Sequence, residues 1–241
     1  MHWFPEGVST YSGTVDGLFK LILIVTGVAF VLTEVLLFVF AWIYRRREGR
    51  RATYTHGNNT LELIWTIVPA VFLVFLAFAS ARGWKAIKGS VPMTDEVVTV
   101  TGAQFSWEFR YRGADGAFDT PDDVVINDEL RLPVGKPVKI RLRSKDVIHS
   151  LFLPNFRLKQ DAVPGVTIEV WVEPTKTGTY EIACAELCGF GHTTMRGTLF
   201  VLSAEEYGAW LAEAQAAVAP PAEPTAGAPG ATETPQQAPP A

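Results

Sequence analysis

Two long apolar runs near the start of the chain constrain its fold more than any other feature. They extend from Leu18 to Tyr44 and from Leu63 to Ala81. As a helix the first would rise about 40 Å, enough to cross a bilayer with some tilt. Two buried helices of a soluble protein are the alternative, but an arginine block follows the first run at once: Arg45, Arg46, Arg47, Arg50 and Arg51. We therefore predict a transmembrane helical hairpin over residues 18–90, with spans at about 18–44 and 63–83.

The charges around these runs predict how the hairpin is oriented. Cytoplasmic loops carry an excess of Lys and Arg, so the arginine-rich link should lie in the cytoplasm. Arg82, Lys85 and Lys88 beyond the second run weaken this bias without reversing it. The N-terminal segment 1–17, which lacks a cleavable signal pattern, and everything after the hairpin should then lie on the periplasmic side of a bacterial-type plasma membrane.

Two acids lie in or beside the predicted spans. Glu34 falls near the middle of the first span, where an ionisable group must face protein or water. Glu34 could exchange protons or contact another subunit. The alternative, which we favour, is a protonated acid hydrogen-bonded to a neighbouring helix. Glu62 stands at the cytoplasmic start of the second span, where a lone acid usually interacts with the helix dipole. Neither residue assigns a function by itself.

From Asp95 to Ser203 the sequence changes to short β-branched or alternating runs separated by Gly and Pro. Such a pattern is typical of a β-sandwich or barrel. Ser203 and Glu206 form a capping box for a short helix at 203–214, and the Ala- and Pro-rich residues 215–241 are typical of a disordered tail. The net charge of −4 argues against a nucleic-acid partner.

The chemistry of the chain is concentrated in the twelve residues from Cys184 to Met195. Both cysteines of the chain lie here. Thiolate and thioether are soft ligands and imidazole is intermediate, a set that suits copper better than calcium, magnesium or manganese. Cys188, His192 and Met195 alone would be similar to the loop of a mononuclear blue-copper site. With Cys184 added, two thiolates can bridge two metals, each of which then needs its own imidazole.

The second imidazole has to come from elsewhere in the chain. A lone histidine after a strand is more often structural than a ligand, but only His149 shares a domain with the cysteines. His2 and His56 are separated from it by a membrane span or by the membrane itself. A zinc Cys2His2 site and a disulfide between Cys184 and Cys188 are the alternatives. The chain has no Cys-x-x-Cys-His motif, so we expect no attached c-type haem.

At these positions the sequence resembles subunit II of the haem–copper oxidases that carry a binuclear CuA centre, as in cytochrome c oxidase. The pattern Cys-x-Glu-x-Cys-x3-His-x2-Met is matched at six points. Three further segments match in the expected order: Glu62-Leu63-Ile64-Trp65-Thr66, Asp146-Val147-Ile148-His149-Ser150 and Leu158-Lys159-Gln160-Asp161-Ala162-Val163-Pro164-Gly165. The resemblance covers residues from about 18 to 203. It implies two N-terminal transmembrane helices followed by an all-β cupredoxin-like sandwich or barrel over 95–203.

The resemblance also implies ligands, cofactors and partners. Glu186 would ligate copper through its backbone carbonyl and bind, through its carboxylate, a magnesium ion shared with subunit I. Glu62 would lie at the mouth of a proton path into that subunit. The side chains that ligate copper would be those of His149, Cys184, Cys188, His192 and Met195.

The implied function is that of the subunit through which electrons enter an aa3-type cytochrome c oxidase. The electrons would come from a periplasmic donor, a c-type cytochrome or another redox protein, and would pass to haem in subunit I. Reduction of oxygen to water and proton translocation would belong to the whole complex, which would include subunit III and membrane lipid. The principal alternative is a membrane-anchored copper chaperone for oxidase assembly, which would need neither Met195 nor Glu186.

Two other classes share part of the pattern. A subunit of a quinol oxidase has lost the copper ligands, whereas all six positions are present in this chain. The copper domain of a nitrous oxide reductase would lack the two spans and carry a separate catalytic domain.

The sequence departs from the family's pattern in one aromatic segment. The family usually has Gln-Trp-x-Trp, whose first tryptophan accepts the electron, whereas this chain has Gln104-Phe105-Ser106-Trp107. Phe105 and Trp107 are candidates for that role, with core packing as the alternative. An acidic run without a compensating base could steer a basic donor, bind calcium weakly or be solvated only: Asp115, Asp119, Asp122, Asp123, Asp128 and Glu129.

Overall fold

The computed structural model describes residues 4–89 and 91–218. Three α-helices, α1 to α3, span Ser12–Ile43, Asn59–Lys88 and Ala204–Val218. Ten strands, β1 to β10, lie between α2 and α3: Val97–Ala103, Ser106–Tyr111, Val124–Asn127, Glu129–Pro133, Val138–Ser144, His149–Leu153, Leu158–Ala162, Ile168–Val172, Gly178–Cys184 and Arg196–Leu202. Short 3-10 helices follow β6 and precede β10, at Pro154–Phe156 and His192–Thr194.

The first two helices are the apolar elements that the sequence predicts. They contain 32 and 30 residues and so rise about 48 and 45 Å. Both are long and apolar enough to cross a membrane. Among the residues of these two helices, which the structure describes throughout, Ser12 alone is buried. An apolar surface of this extent is unstable in water, so lipid or partner helices must cover it.

Both helices extend beyond the predicted spans. α1 begins at Ser12, where the hydroxyl and the backbone N–H both donate to the carbonyl of Ser9. α2 begins after Asn58, whose side chain accepts hydrogen bonds from two backbone N–H groups of the first turn, and it continues to Lys88. An apolar run marks the part of a helix that faces lipid. The intrahelical hydrogen bonds continue past that part until a cap or another element ends the helix.

The strands form two five-stranded sheets that enclose one apolar core. The strand orders are β3-β2-β1-β5-β8 and β4-β10-β9-β6-β7. The β1–β5 and β10–β4 pairs are parallel and the other pairs are antiparallel. Side chains alternate between the two faces, so that Trp107, Phe109 and Tyr111 of β2 are buried and their neighbours are partly exposed. The two helices followed by an all-β sandwich confirm the predicted fold class.

The second sheet places the two predicted ligand segments side by side. β6, which begins at His149, pairs with β9, and Leu151 lies opposite Cys184. β9 ends at Cys184, and the chain then forms the ligand loop, residues Cys184–Met195, before it enters β10. The backbone N–H of Cys184 donates to the carbonyl of Met195 at 3.1 Å. The loop therefore starts and ends on adjacent strands, and His149 starts the next strand of the same sheet.

The C-terminal helix α3 packs on the sandwich through aromatic side chains. Tyr207 is buried, and the ring of Trp210 lies 5.0 Å from that of Tyr111. The predicted capping box is present. The Ser203 hydroxyl accepts from the Glu206 N–H at 3.2 Å, and the Glu206 carboxylate accepts from the Ser203 N–H at 2.9 Å.

The helix α3 is longer than the sequence predicts. It continues to Val218, four residues into the segment predicted to be a tail. Gln215 stabilises this last turn against the sandwich, because its Nε2 donates to the carbonyl of Arg112 at 2.9 Å. The rest of the predicted tail, 219–241, lies outside the described residues.

Side-chain hydrogen bonds link the sandwich to both long helices. Arg157, which follows β6, donates to both carboxylate oxygens of Asp16 in α1, at 2.7 and 3.1 Å. Trp171 in β8 donates through Nε1 to the carbonyl of Ile87 in α2 at 2.7 Å, and its own carbonyl accepts from the Tyr11 hydroxyl. These bonds hold the sandwich against the ends of α1 and α2 that lie away from the arginine-rich link.

Candidate metal centre

Cys188 lies at the centre of the predicted ligand set. Its Sγ is 3.9 Å from Cys184 Sγ and 3.7 Å from His192 Nδ1. Its distance to Met195 Sδ is 3.8 Å. One ligand atom each from His149, Cys184 and Cys188 lie within 4.8 Å of one another. The fold therefore brings the five predicted side chains together from two segments that are distant in sequence.

The ligand set lies where the core meets the surface. His149 is fully buried, Cys188 is 3% exposed and Met195 is 1% exposed. Cys184 is partly exposed. The sandwich core thus shields His149, Cys188 and Met195 from water, whereas Cys184 remains partly accessible.

His149 gives the clearest indication that this cluster is built to hold a ligand. Its Nε2 lies 2.8 Å from Asp146 Oδ1, so Nε2 carries the proton and Nδ1 has a free lone pair. Nδ1 is buried and has no hydrogen-bond partner in residues 4–89 and 91–218. Buried polar atoms nearly always have a partner. A metal ion held by the thiols would satisfy this lone pair.

Burial controls the protonation of the Cys188 thiol in the metal-free chain. Removal from water, followed by the neighbouring Cys184, raises the pKa of Cys188 to about 11. The Cys188 thiol is therefore protonated at neutral pH. Only the thiolate ligates a metal, so binding must release this proton, and affinity must increase with pH.

Asp146 is an ionised carboxylate that holds His149 in place by a hydrogen bond. Desolvation raises the pKa of its carboxyl, but hydrogen bonds from His149 and from the backbone N–H groups of Gln104 and Val147 outweigh that effect and lower the pKa overall. A carboxylate that accepts from the far nitrogen of a ligating histidine fixes the ring's tautomer and orientation. Asp146 stands in that relation to His149.

Glu186 uses its backbone and its side chain differently. Its carbonyl oxygen is 3.3 Å from Cys184 Sγ, whereas the residue as a whole is exposed. The carbonyl can therefore contribute to a metal site inside the loop while the carboxylate faces outward. This geometry is compatible with the two roles that the sequence predicts for Glu186.

The donor set fits copper better than the alternatives. A zinc site would use the two thiols and two imidazoles and would leave unexplained the buried Met195 thioether beside Cys188. The two Sγ atoms are 3.9 Å apart and both cysteines are free, whereas a disulfide requires about 2.0 Å. The fold holds the dithiol form in a geometry from which both sulfurs can reach a common ion.

The aromatic segment before β2 packs against the ligand loop. A Cβ built on Gly191 would lie 2.6 Å from the ring of Phe105. Phe105 follows Gln104 across a cis peptide bond and is 38% exposed. Trp107 is fully buried, and its ring centroid is 6.0 Å from that of His149. The structure thus brings both aromatic candidates to the centre, Phe105 at the surface and Trp107 in the core.

The acidic run was expected to lack compensating bases, and that expectation is wrong. Asp123, whose side chain is 1% exposed, pairs with Arg110 of β2 at 3.3 Å. Asp119 pairs with Arg143 of β5 at 3.5 Å. These arginines belong to strands of the sheet beneath, so a count of charges along the run does not reveal them. The pairing weakens the case for a docking surface or a calcium loop built on these acids.

The two acids of the hairpin lie apart from the metal centre. Glu62 is in the first turn of α2 and is exposed, about 37 Å along the helix from Ile87 and the sandwich. Glu34 lies within α1 and is partly exposed.

Two residues that hold the centre together were not predicted from the sequence, Gln104 and Asp146. The backbone N–H of Gln104 donates to Asp146 Oδ2 at 2.7 Å, and its side-chain Nε2 donates to the carbonyl of Cys188 at 2.5 Å. Asp146 lies three residues before His149, within a segment already singled out, so its spacing was a usable signal. Gln104 is 84 positions from Cys188, and only the pairing of the strands brings the two together.

Fold and site together define a class of protein, the membrane-anchored proteins whose cupredoxin-like domain carries a soft-metal centre. Comparison with known families gives the particular one. The model for the transmembrane domain of cytochrome c oxidase subunit II matches residues 2–82, and the model for its periplasmic domain matches residues 119–201. The chain belongs to the family of cytochrome c oxidase subunit II.

Two curated relatives are similar to this chain over most of its length. The alternative cytochrome c oxidase subunit 2 of Bradyrhizobium diazoefficiens is 35% identical, covering 87% of this chain and 83% of the relative. Cytochrome c oxidase subunit 2 of Thermostichus vulcanus is 30% identical, covering 92% and 81%. A crystal structure of the periplasmic domain of subunit II of cytochrome oxidase of Bradyrhizobium japonicum is 28% identical, with a TM-score of 0.48 over 54% of this chain and 100% of that chain.

Membership of this family makes the chain part of a haem–copper oxidase, an oxidoreductase complex. It also makes the two apolar helices a membrane anchor and the sandwich a periplasmic domain. The family resemblance stated from the sequence is thereby confirmed.

Proposed function

We propose that the chain binds a binuclear copper centre of the CuA type and is the subunit through which electrons enter an aa3-type cytochrome c oxidase. One observation carries the proposal. The Cys188 thiol lies within 3.9 Å of a second thiol, an imidazole and a thioether, beside a buried His149 nitrogen without a partner in the described chain. Bound copper would supply a one-electron redox couple at this position.

Each ligand has a distinct task in this proposal. Cys184 and Cys188 would bridge the two metals, and His149 and His192 would each bind one of them. Met195 and the carbonyl of Glu186 would complete the set as weaker ligands. Because these groups project from paired strands and a short loop, their positions should change little between redox states. A small change in geometry favours fast electron transfer.

The donor would be a periplasmic redox protein such as a c-type cytochrome. Electrons would leave singly toward haem in subunit I, and subunit III would complete the complex that reduces oxygen to water and translocates protons. Partly and fully exposed apolar side chains surround the ligand loop, including Phe105, Ile148, Leu187 and Phe190. Since three of the six acids of the predicted docking run, Asp119, Asp123 and Glu129, are paired with arginines, this apolar rim is the better contact surface for a redox partner.

Two further assignments complete the proposal. The exposed carboxylate of Glu186 would bind magnesium shared with subunit I. The arginine-rich link would lie in the cytoplasm, and Glu62 beside it would stand at the mouth of a proton path into subunit I. Glu62→Ala should then slow proton-coupled turnover of the assembled oxidase and leave oxidation of the donor fast. Equal slowing of both steps would contradict this role.

The proposal is tested by loading the full chain with copper in detergent. We expect two copper ions per chain and an EPR spectrum in which one unpaired electron is shared by two copper nuclei. The copper chaperone, the alternative function, would bind one ion. A single copper per chain with the spectrum of an isolated Cu(II) ion would therefore overturn the proposal.

A further inference from the structure

We infer that Gln104 is a positioning residue of the metal centre, which joins the ligand loop to the strand that carries His149 and fixes the peptide group of Cys188. The inference concerns a residue outside the predicted ligand set, and it rests on the proposed copper site. Its support comes from three hydrogen bonds in series, from the conformation of Gly189, and from the contrast with a second glutamine of the chain.

The three hydrogen bonds run from one ligand segment to the other. Gln104 Nε2 donates to the carbonyl of Cys188 at 2.5 Å, and the Gln104 backbone N–H donates to Asp146 Oδ2 at 2.7 Å. The other oxygen of Asp146 accepts from His149 Nε2 at 2.8 Å. Gln104 thus contacts both the backbone of a cysteine ligand and the carboxylate that orients a histidine ligand.

The glycine after Cys188 explains why this peptide needs support. Gly189 has a φ of +136°, a region that L side chains rarely adopt and in which glycine moves freely. A Cβ on Gly189 would lie 2.7 Å from Gln104 Nε2, so the amide fills the space that a side chain would occupy. The hydrogen bond therefore restrains the Cys188–Gly189 peptide at the most permissive point of the ligand loop.

The orientation of this peptide determines where the Cys188 sulfur points. Cys188 Sγ has three sulfur and nitrogen neighbours between 3.7 and 3.9 Å, so a small rotation of its backbone alters several of these distances at once. Phe105 packs on the same loop at Gly191, and it directly follows Gln104. The segment 104–105 thus fixes the loop at two points, by a hydrogen bond and by a ring contact.

Gln215 provides a matched control within the chain. Its Nε2 also donates to a backbone carbonyl, that of Arg112, at 2.9 Å, but it lies on α3 and touches no predicted ligand. Replacing either glutamine by methionine removes the donor, keeps the length of the side chain and adds no charge. The substitution in Gln104 leaves its backbone bond to Asp146 in place, so it tests the side-chain bond alone.

The experiment compares Gln104→Met, Gln215→Met and the unaltered full chain, each loaded with copper in detergent. Groups that orient metal ligands contribute about 10- to 100-fold to metal affinity. We expect Gln104→Met to weaken copper affinity about tenfold, at the lower end of that range, to shift the copper–thiolate absorption and the EPR hyperfine splitting, and to change the reduction potential. Gln215→Met should change none of these. The thermal unfolding temperature of the metal-free chain should change by a similar amount in the two variants.

Gln104→Asn keeps the amide but shortens the side chain by one methylene, and it should give a change in the same direction. If Gln104→Met does not fold, Gln104→Asn tests whether the side-chain hydrogen bond positions the centre. Unchanged spectra and an affinity within twofold of the unaltered chain in the folded Gln104 variants would overturn the inference and leave the copper site intact. Equal spectral changes in Gln215→Met would overturn it too. An unaltered chain that binds fewer than two copper ions would instead refute the proposed function, and the inference with it.

Discussion

The ligand loop and the acidic loop of residues 113–123 are both rich in groups that can bind ions. They differ in whether those groups have partners within the chain. In the acidic loop, Asp123 accepts from Arg110 and from the backbone N–H groups of Asp119 and Thr120. In the ligand loop and the strand beside it, two thiols remain free and a buried His149 nitrogen stays unpartnered within the described chain.

The difference has a physical basis. A buried polar group without a hydrogen bond costs about 1–3 kcal/mol, and a bound metal ion would recover that cost at His149 Nδ1. Buried side-chain atoms of Thr99, Trp107, Arg112 and Arg143 also lack a partner in the described residues, but the His149 nitrogen differs from them because two free thiols lie beside it. A paired carboxylate has no such need, and its role is to hold the loop in place. The number of charged residues is therefore a poor guide to a binding site, whereas a buried unpartnered acceptor beside free thiols is a better one.

The largest predicted effect separates the two loops by chemistry. Cys188→Ser should abolish the two-copper centre, because a hydroxyl is a much harder ligand than a thiolate and releases its proton to a metal far less readily than a thiol does. Asp123→Asn, the matched change in the acidic loop, should leave two copper ions bound. Metal analysis and EPR of the purified full chains measure both. A Cys188→Ser chain that kept two ions and an unchanged spectrum would remove Cys188 from the ligand set.

The second prediction concerns the stability of the sandwich and not its metal binding. Asp123→Ala should lower the free energy of unfolding of the sandwich by about 2 kcal/mol, since it breaks an ion pair and leaves two backbone N–H groups without their acceptor. The copper spectrum should not change. Denaturant unfolding in detergent gives the first quantity and EPR the second, with Asp115→Ala as a control within about 0.5 kcal/mol of the unaltered chain. A spectral change would show that the loops are coupled.

A pair of glycines sharpens the comparison further. Gly191 has an ordinary φ of −88°, but an added Cβ would meet the Phe105 ring, so Gly191→Ala should cost about 1–2 kcal/mol by crowding and shift the copper spectrum. Gly116 in the acidic loop has a φ of +71° and open space around it. Gly116→Ala should cost about 1 kcal/mol through backbone strain alone, with no spectral change. Similar spectra in both variants would contradict the contact between Phe105 and the loop.

How much of this molecule was predictable depends on whether the deciding contacts are local in sequence. The membrane helices follow from long, almost wholly apolar runs, and the capping box at Ser203 and Glu206 follows from a spacing of three. The grouping of Cys184, Cys188 and His192 could also be foreseen, because all lie in one loop. Pairing of strands was needed to place His149 beside them. The sequence indicated His149 only by elimination among the other histidines and through the family resemblance.

Contacts between distant segments were not predictable in the same way. Arg143 is in β5 and Asp119 in the acidic loop, and no local pattern connects them, so the acids were wrongly expected to be uncompensated. The bond from Gln104 to Cys188 depends on the same kind of long-range register. Helix ends were missed for another reason, since hydrogen bonds such as that from Gln215 to Arg112 extend α3 beyond its apolar pattern.

The smallest predicted effect concerns Asp115, an exposed acid of the acidic loop whose carboxylate accepts only the backbone N–H of Ala117 among the residues described, at 2.8 Å. Asp115→Asn should change the rate at which a basic c-type cytochrome reduces the copper-loaded chain by less than about twofold at 0.15 M salt. At that ionic strength charges beyond about 8 Å are screened, and two acids of the same loop, Asp119 and Asp123, are already paired with arginines. Stopped-flow reduction at several salt concentrations measures the rate. A several-fold decrease that disappears at high salt would make the acidic loop a steering surface after all, and the partner contact would then shift away from the apolar rim of the ligand loop.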